Sequence, residues 1–132
     1  MNSKTKVIDV ACALIRRNDC YLAVRRSQRM QHPGKWEFPG GKIEPRESPN
    51  QCVIREIHEE LNLEIKPIEE LQPITWHYPD KSVHLIPVVC KIIGGVLRLS
   101  EHDQMKWVEM ENLKDMDWTD ADREMLEANH LL

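Results

Sequence analysis

The sequence predicts an α/β protein in which a mixed β-sheet lies between helices. Two apolar segments near the N-terminus, residues 7–15 and 20–24, have the length and composition of strands. A helical segment follows at residues 49–61, and several strand-like segments precede a second helix at residues 121–129. This order of elements is typical of a mixed sheet that is covered by helices.

Composition predicts one globular domain over residues 1–132. The hydrophobic fraction of 41% and the charged fraction of 30% suit a soluble chain with a core and argue against disorder. The formal net charge of −4 disfavours binding of this protein to a nucleic-acid polymer, whose backbone is also negatively charged. An anionic small molecule would therefore need a divalent cation between itself and the protein.

The N-terminus and the cysteines predict a cytoplasmic protein. Residues 1–6 lack a signal-peptide pattern, and the longest apolar run, residues 10–15, is too short to span a membrane. The four cysteines lack C-x-x-C spacing, so we expect free thiols in a reducing compartment, with no membrane partner.

The first strand is nearly continuous in its apolar residues, which predicts burial on both faces of the sheet. Residues 16–19 form a polar turn that would pair it with the second strand as a hairpin. A basic loop at residues 25–33 leads to a short extended segment at residues 35–38. We expect Pro39, Gly40 and Gly41 to turn the chain sharply after it.

The helix at residues 49–61 has clear start and stop signals. Ser48 is suited to cap it, Pro49 to occupy its first position, and Gln51 to complete a capping box. Asn62 stands where a left-handed residue ends many helices, and Asn tolerates that conformation better than most residues do.

Three carboxylates share one face of this helix. Glu56, Glu59 and Glu60 are related by three and four residues, which places them within about 100° of arc. The apolar positions occupy a different arc and are suited to the core. Like charges at this spacing repel one another, and a local conflict of this kind indicates a functional site.

The C-terminal half predicts further strands and two helical segments. Pro87 interrupts one of the strands, so we expect a bulge or a sheet edge there. Thr119 or Asp120 would cap the last helix. The predicted strands are residues 63–68, 74–78, 83–93, 96–99 and 105–108, with one helical turn at residues 111–114.

The stretch from Gly41 to Leu63 resembles the Nudix box, G-x5-E-x7-R-E-U-x-E-E-x-G-U, where U is aliphatic. Every fixed position matches except the second glycine of the pattern, which is Asn62. Residues 36–44, Trp-Glu-Phe-Pro-Gly-Gly-Lys-Ile-Glu, are similar to the MutT-type branch, which includes 8-oxo-dGTP diphosphatases and CTP pyrophosphohydrolases. Residues 121–127 also resemble the CTP pyrophosphohydrolase type. The resemblance implies an α/β/α sandwich with a mixed sheet.

The resemblance also implies a metal-dependent site. Mg²⁺, for which Mn²⁺ is a possible substitute, takes hard oxygen ligands and shares them with phosphates. Arg55 would orient the carboxylates through paired hydrogen bonds, and Glu47 would add a carboxylate from the loop. The implied metal ligands are Glu56, Glu59, Glu60 and the Gly40 carbonyl.

Four further residues are candidates whose roles stay open. Glu101 is a candidate metal ligand or base, in competition with Asp103, or else plain loop charge. Arg26 is a phosphate contact or a solvated strand end. Asp122 occupies the branch position that reads the nucleobase, where it would accept from cytosine N4 or from guanine N1 and N2, or it is a helical Asp favoured by the dipole. Glu37 is a second candidate for the residue that reads the nucleobase.

The histidines and aromatics have less specific interpretations. His32, His58, His77, His84 and His102 lack metal-type spacing, so we expect surface histidines. Most aromatic residues are expected in the core, although any of them could stack on a base.

The leading hypothesis is a Mg²⁺-dependent hydrolase that cleaves (d)NTP to (d)NMP and diphosphate. The substrate would be 8-oxo-dGTP or CTP/dCTP, a small-molecule nucleotide, and the enzyme a monomer or homodimer. One alternative is a Nudix hydrolase of ADP-ribose or another nucleoside diphosphate derivative. A second alternative, from another class, is a non-catalytic nucleotide-binding module.

Overall fold

A computed structural model describes residues 6–132 and contains one mixed sheet with a helix on each face. Among these residues, no helix has both the length and the apolar character needed to span a membrane. The elements are β1 Val7–Arg17, β2 Cys20–Arg25, β3 Trp36–Glu37, β4 Gly40–Lys42, α1 Pro49–Leu61, β5 Leu63–Glu70, β6 Ile74–His77, β7 Ser82–Gly95, β8 Gln104–Glu109, a 3₁₀ helix Met110–Asp115, and α2 Asp120–Ala128.

Strand β1 is the centre of the sheet. It pairs in parallel with β7, from Val7 opposite Ser82 to Ile15 opposite Cys90. On its other side, β1 pairs antiparallel with β4 at residues 10–12 and with β2 at residues 16–17. Strand β2 also pairs antiparallel with β3 and β8. Strands β5 and β6 pair antiparallel with β7. The predicted hairpin of β1 and β2 is confirmed, and the sheet is mixed as expected.

Alternate side chains of β1 enter two separate cores. Ala11, Ala13 and Ile15 pack with the apolar face of α1. Cys12 and Leu14 point to the opposite face and pack with α2 and the residues around it. Successive side chains of a strand face opposite ways, so a strand between two helical layers must be apolar throughout. The predicted α/β/α class is therefore confirmed.

Helix α1 has the predicted bounds and caps. The Ser48 side chain accepts from the Gln51 N–H, and the Gln51 side chain accepts from the Ser48 N–H, so the capping box is complete. Asn62 ends the helix in the left-handed region with a φ of 57°. Its side chain donates to the Val96 carbonyl at 2.9 Å.

The sharp turn predicted over residues 39–41 is wrong at Gly40 and Gly41, because the chain bends at Pro39, before them. Both residues are in extended strand β4, which pairs with β1. Glycine is required at Gly40, because a Cβ there would overlap the Ala11 backbone carbonyl. At Gly41 a Cβ would displace the Glu56 carboxylate, which is the end of a flexible side chain. The two glycines thus let β4 lie against β1 on one side and against the acidic face of α1 on the other.

Two predictions about β7 and the segment after it are also wrong. Strand β7 is interior, and Pro87 lies where its neighbour changes from β5 to β6, so its missing N–H leaves no ladder bond unpaired. Residues 96–99 form no strand. Instead the N–H groups of Arg98 and Ser100 donate to the carbonyls of Leu61 and Glu60 at the end of α1, which lack partners within the helix.

Candidate active site

Arg55 lies at the centre of a hydrogen-bonded group of carboxylates. Its Nε and Nη2 atoms donate to the two oxygens of Glu47 at 2.7 and 2.9 Å, and its Nη1 donates to Glu56 at 2.8 Å. Such paired bonds fix both partners because the guanidinium is planar. Together with the Glu44 N–H, they lower the pKa of Glu47 to about 2, so this carboxylate is ionised at neutral pH.

Glu60 lies deeper than the other carboxylates of α1. Its side chain is only 13% exposed, and it lines the same cleft as Glu56. Burial, and after it the contact with Glu56, raises the pKa of Glu60 to about 10. Glu59, by contrast, is 59% exposed and meets Arg55 at 3.5 Å. The structure brings Glu56 and Glu60 together and leaves Glu59 at the surface.

A cleft of about 260 Å³ opens over these carboxylates. Gly40, Gly41, Glu56 and Glu60 line one part of it. A second cavity of about 170 Å³ adjoins it and includes His32, Tyr78 and Lys81 in its wall. Three of the predicted residues line both cavities: Arg26, Glu37 and Asp122. The predicted substrate contacts are thus brought to the same cleft as the carboxylates.

Arg26 is not a solvated strand end. Its Nη1 donates to both oxygens of Glu37 at 3.0 Å, and its Nε donates to the Gln31 carbonyl. The side chains of Arg26 and Glu37 are 20% and 17% exposed. This ion pair therefore forms part of the wall between the two cavities.

Asp122 is buried on the first turn of α2. Its Oδ2 accepts from the backbone N–H of Phe38 at 2.7 Å, which joins α2 to the segment after β3. Burial, followed by the negative charge of Glu37, raises the pKa of Asp122 to about 7. Asp122 is thus both a structural link and a polar group in the cleft.

The structure separates Glu101 from Asp103. Asp103 accepts two hydrogen bonds from Arg25, at 2.8 and 3.1 Å, and lines only a neighbouring cavity of about 510 Å³. Glu101 lines that cavity and also the cleft that contains Glu56 and Glu60. Of the two candidates, only Glu101 lies beside the carboxylates of α1.

His102 is the residue that sequence reasoning missed. We expected a surface histidine, but its side chain is 3% exposed and its Nε2 lies 2.8 Å from a Glu37 oxygen. Its position next to Glu101 in a polar loop was the only available signal. That signal is weak, because a loop position carries no periodicity from which burial could be predicted.

A family model described as the NUDIX domain matches residues 5–128. The chain belongs to the Nudix family. This match covers nearly the whole chain, as the resemblance of residues 41–63 implied, and the protein is a Nudix hydrolase.

Named relatives of this Nudix hydrolase agree with the MutT-type resemblance. It is 32% identical to the CTP pyrophosphohydrolase of Escherichia coli K12, over 93% of this chain and 91% of the relative. It is also 32% identical to the 8-oxo-dGTP diphosphatase of Proteus vulgaris, over 61% of this chain and 72% of the relative. The crystal structure of the MutT protein from Methanosarcina mazei Go1 superposes with a TM-score of 0.86 at 28% identity, covering 98% of this chain and 96% of that one.

Nudix hydrolases generally use divalent metal ions. Within residues 6–132, no three His, Cys, Asp or Glu side chains are already arranged as ligands of one ion. The donor set nevertheless fits such an ion, because the carboxyls of Glu56 and Glu60 face the same cleft, where burial and the neighbouring Glu56 raise the pKa of Glu60 to about 10. A divalent cation would supply the positive charge that lets both ionise.

Proposed function

We propose that this Nudix hydrolase is a Mg²⁺-dependent nucleoside triphosphate pyrophosphohydrolase. It cleaves (d)NTP to (d)NMP and diphosphate, with 8-oxo-dGTP or CTP/dCTP as substrate. The observation that carries the proposal is a pair of neighbouring cavities, with the Glu56 and Glu60 carboxyls lining one of them and the buried Asp122 lining both. A triphosphate needs such an arrangement, because its phosphates require cations and its base requires a polar site at a distance.

The metal would be held by carboxylates from α1 and from the loop before β8. When bound, Mg²⁺ would neutralise phosphate charge and make water a better nucleophile. Glu59, which is exposed, would turn inward to join the others, and Mn²⁺ would substitute for Mg²⁺. The proposed ligands are Gly40 through its carbonyl, Glu56, Glu59, Glu60 and Glu101.

Glu47 and Arg55 would act together as an orienting pair. Both oxygens of Glu47 accept from Arg55, so Glu47 fixes the guanidinium, which in turn holds Glu56 at 2.8 Å. The ionised Glu47 keeps this arrangement across neutral pH. The pair therefore sets the direction in which Glu56 presents its free lone pairs to the cleft.

The base would be read beside Asp122. One oxygen of Asp122 is used by the Phe38 N–H, which leaves the other for an amino group of the base. The cytosine N4 amino group and the guanine N1 and N2 donors both suit a carboxylate acceptor. Arg26 and Glu37 would contact the substrate between the base and the phosphates.

The proposed cellular compartment and the proposed class of substrate follow from the composition and from the free thiols. We propose a cytoplasmic monomer or homodimer that acts on a nucleotide rather than on a nucleic-acid polymer. The net charge of −4 supports the choice of substrate. The four free cysteines support a reducing compartment.

A substrate panel tests the proposed reaction. We would compare kcat/KM for dGTP, 8-oxo-dGTP, dCTP, 5-methyl-dCTP, CTP and ADP-ribose, detecting phosphate and pyrophosphate separately. We expect pyrophosphate and a monophosphate from 8-oxo-dGTP or from a cytosine nucleotide, in preference to dGTP. Turnover of ADP-ribose alone would overturn the proposal in favour of a diphosphate substrate, and binding without turnover would indicate a nucleotide-binding module.

Substitutions test the proposed ligands. Glu56→Gln and Glu60→Gln should each lower kcat on the order of 10²–10³-fold at saturating Mg²⁺, because charge developing in the transition state loses its stabilising cation. Glu127→Gln changes an exposed carboxylate of α2 and serves as the control. Unchanged turnover in both site variants would rule out this assignment.

A further inference from the structure

His102 joins the two parts of the cleft. Its ring is buried in the loop between β7 and β8, with Nε2 at 2.8 Å from Glu37 Oε2. Glu37 in turn accepts two hydrogen bonds from Arg26. The imidazole thus extends the row of hydrogen bonds that runs from Arg26 to Glu37 in the wall between the two cavities.

The other ring nitrogen faces the carboxylates of α1. His102 Nδ1 is fully buried and has no hydrogen-bond partner within residues 6–132. Glu60 Oε1 lies 3.9 Å from it, beyond hydrogen-bonding distance. An unpaired buried polar atom costs free energy, so this one requires a partner that another state of the site would supply.

The backbone around His102 is fixed at both ends. On one side, the Ser100 N–H donates to the Glu60 carbonyl at 3.2 Å. On the other, the Asp103 N–H donates to the Arg25 carbonyl, and the Asp103 side chain is paired with Arg25. A loop tied to the end of α1 and to the end of β2 holds its imidazole in one place between those elements.

We propose that His102 is a positioning residue that orients Glu37 through Nε2 and Glu60 through Nδ1. Its effect on Glu60 supports metal binding, and its effect on Glu37 and Arg26 supports the substrate contact. The assignment of Glu60 to metal binding and of Glu37 and Arg26 to the substrate contact rests on the proposed function. Partners of this kind, one step removed from the metal, commonly change metal affinity by 10–100-fold when removed.

Two conservative variants separate the effect of His102 on Glu37 from its effect on Glu60. The amide nitrogen of Gln reaches the position of imidazole Nε2, whereas the amide of Asn lies near Nδ1. His102→Ala removes the hydrogen bond to Glu37 and the ring nitrogen that faces Glu60. His102→Gln retains a donor for Glu37, and His102→Asn retains a polar group for Glu60. His84→Gln is the matched control, because His84 contacts Thr75 on β6 and lies outside the cleft walls.

Two measurements are made on each full-length variant. Binding of Mn²⁺ alone is followed by electron paramagnetic resonance of the free ion, and KM and kcat are measured with the best triphosphate. We expect His102→Ala to weaken Mn²⁺ binding by at least about tenfold and to raise KM. His102→Gln should restore KM but not Mn²⁺ binding, and His102→Asn should restore Mn²⁺ binding but not KM.

Other outcomes overturn the inference. An Mn²⁺ affinity of His102→Ala within about twofold of the wild type would do so. Equal losses of Mn²⁺ affinity and equal increases in KM in all three variants, in proportion to a fall in melting temperature, would also do so. The Mn²⁺ measurement needs no nucleotide, so it stands if the wild type hydrolyses no triphosphate and the proposed function fails. Normal triphosphate hydrolysis with unchanged Mn²⁺ affinity would refute the role of His102 alone.

Discussion

Single residues at this site combine structural and chemical demands that oppose one another. Asp122 is buried and linked to the Phe38 N–H, yet it lies near the negative charge of Glu37. Its pKa of about 7, against an ordinary value of 3.8, means that the folded chain retains a proton that the unfolded chain loses. Stability from this group is greatest below about pH 4 and decreases as the pH rises towards 7.

Asp122→Asn should remove this pH dependence. An amide stays neutral and its oxygen can still accept from Phe38, so the variant should gain about 2 kcal/mol relative to the wild type between pH 5 and pH 8. Urea unfolding in EDTA at both pH values measures the difference. Asp120→Asn, an exposed carboxylate on the same turn, is the control. A constant difference between wild type and Asp122→Asn would refute the argument.

At the scale of elements, α1 contributes to the site through its two ends. The capping box fixes where the helix begins, and so places Arg55 and Glu56 beside β4. The left-handed Asn62 ends it and leaves the carbonyls of Glu60 and Leu61 to bind the segment before Glu101. The C-terminus of α1 therefore positions a loop that also lines the cleft.

Asn62 tests this termination directly. Asn62→Gly keeps the left-handed conformation at low cost but loses the hydrogen bond to Val96, so we expect a change in unfolding free energy within about 1 kcal/mol. Asn62→Ala loses the bond and meets the left-handed penalty, and should cost about 2 kcal/mol. Denaturant unfolding compares them. Equal stability of the two variants would show that backbone conformation is not what Asn62 provides.

At the scale of the whole molecule, the cleft concentrates acidic side chains in a chain whose net charge is already −4. Burial and the neighbouring carboxyl of Glu56 raise the pKa of Glu60 to about 10, so at neutral pH folding requires the uptake of a proton at Glu60, which costs free energy. A cation that binds only the folded state would reverse this effect. Stability and function should therefore conflict at Glu60 when metal is absent.

Glu60→Gln should show that conflict. In EDTA at pH 8 the variant should melt at a higher temperature than the wild type, because the wild type must take up a proton at Glu60 when it folds and the amide need not. With Mg²⁺ at about 100-fold its Kd, the wild type should gain about 2.7 kcal/mol and the variant much less. Thermal melts with and without Mg²⁺ measure both effects, with Glu127→Gln expected to follow the wild type. A variant that is less stable in EDTA would contradict the argument.

Local signals in the sequence determined α1, its caps and the burial of β1 on both faces. These features depend on residues within a few positions of one another, so spacing and residue type are sufficient to predict them. The spacing of Gly41, Glu47, Arg55 and the acidic residues of α1 also identified the family. Local spacing failed at Gly40 and Gly41, because they pack against β1 and Glu56 rather than forming a turn.

Only the tertiary structure decided which groups meet in the cleft. Phe38 and Asp122 are 84 residues apart, and Glu37 and His102 are 65 residues apart. It also decided that Asp103 pairs with Arg25 and that His102 is buried. Hydrophobic periodicity tells which face of an element is buried, but not which distant side chain it meets. Long-range pairing across the sheet therefore built the cleft from residues whose local sequence shows no sign of one another.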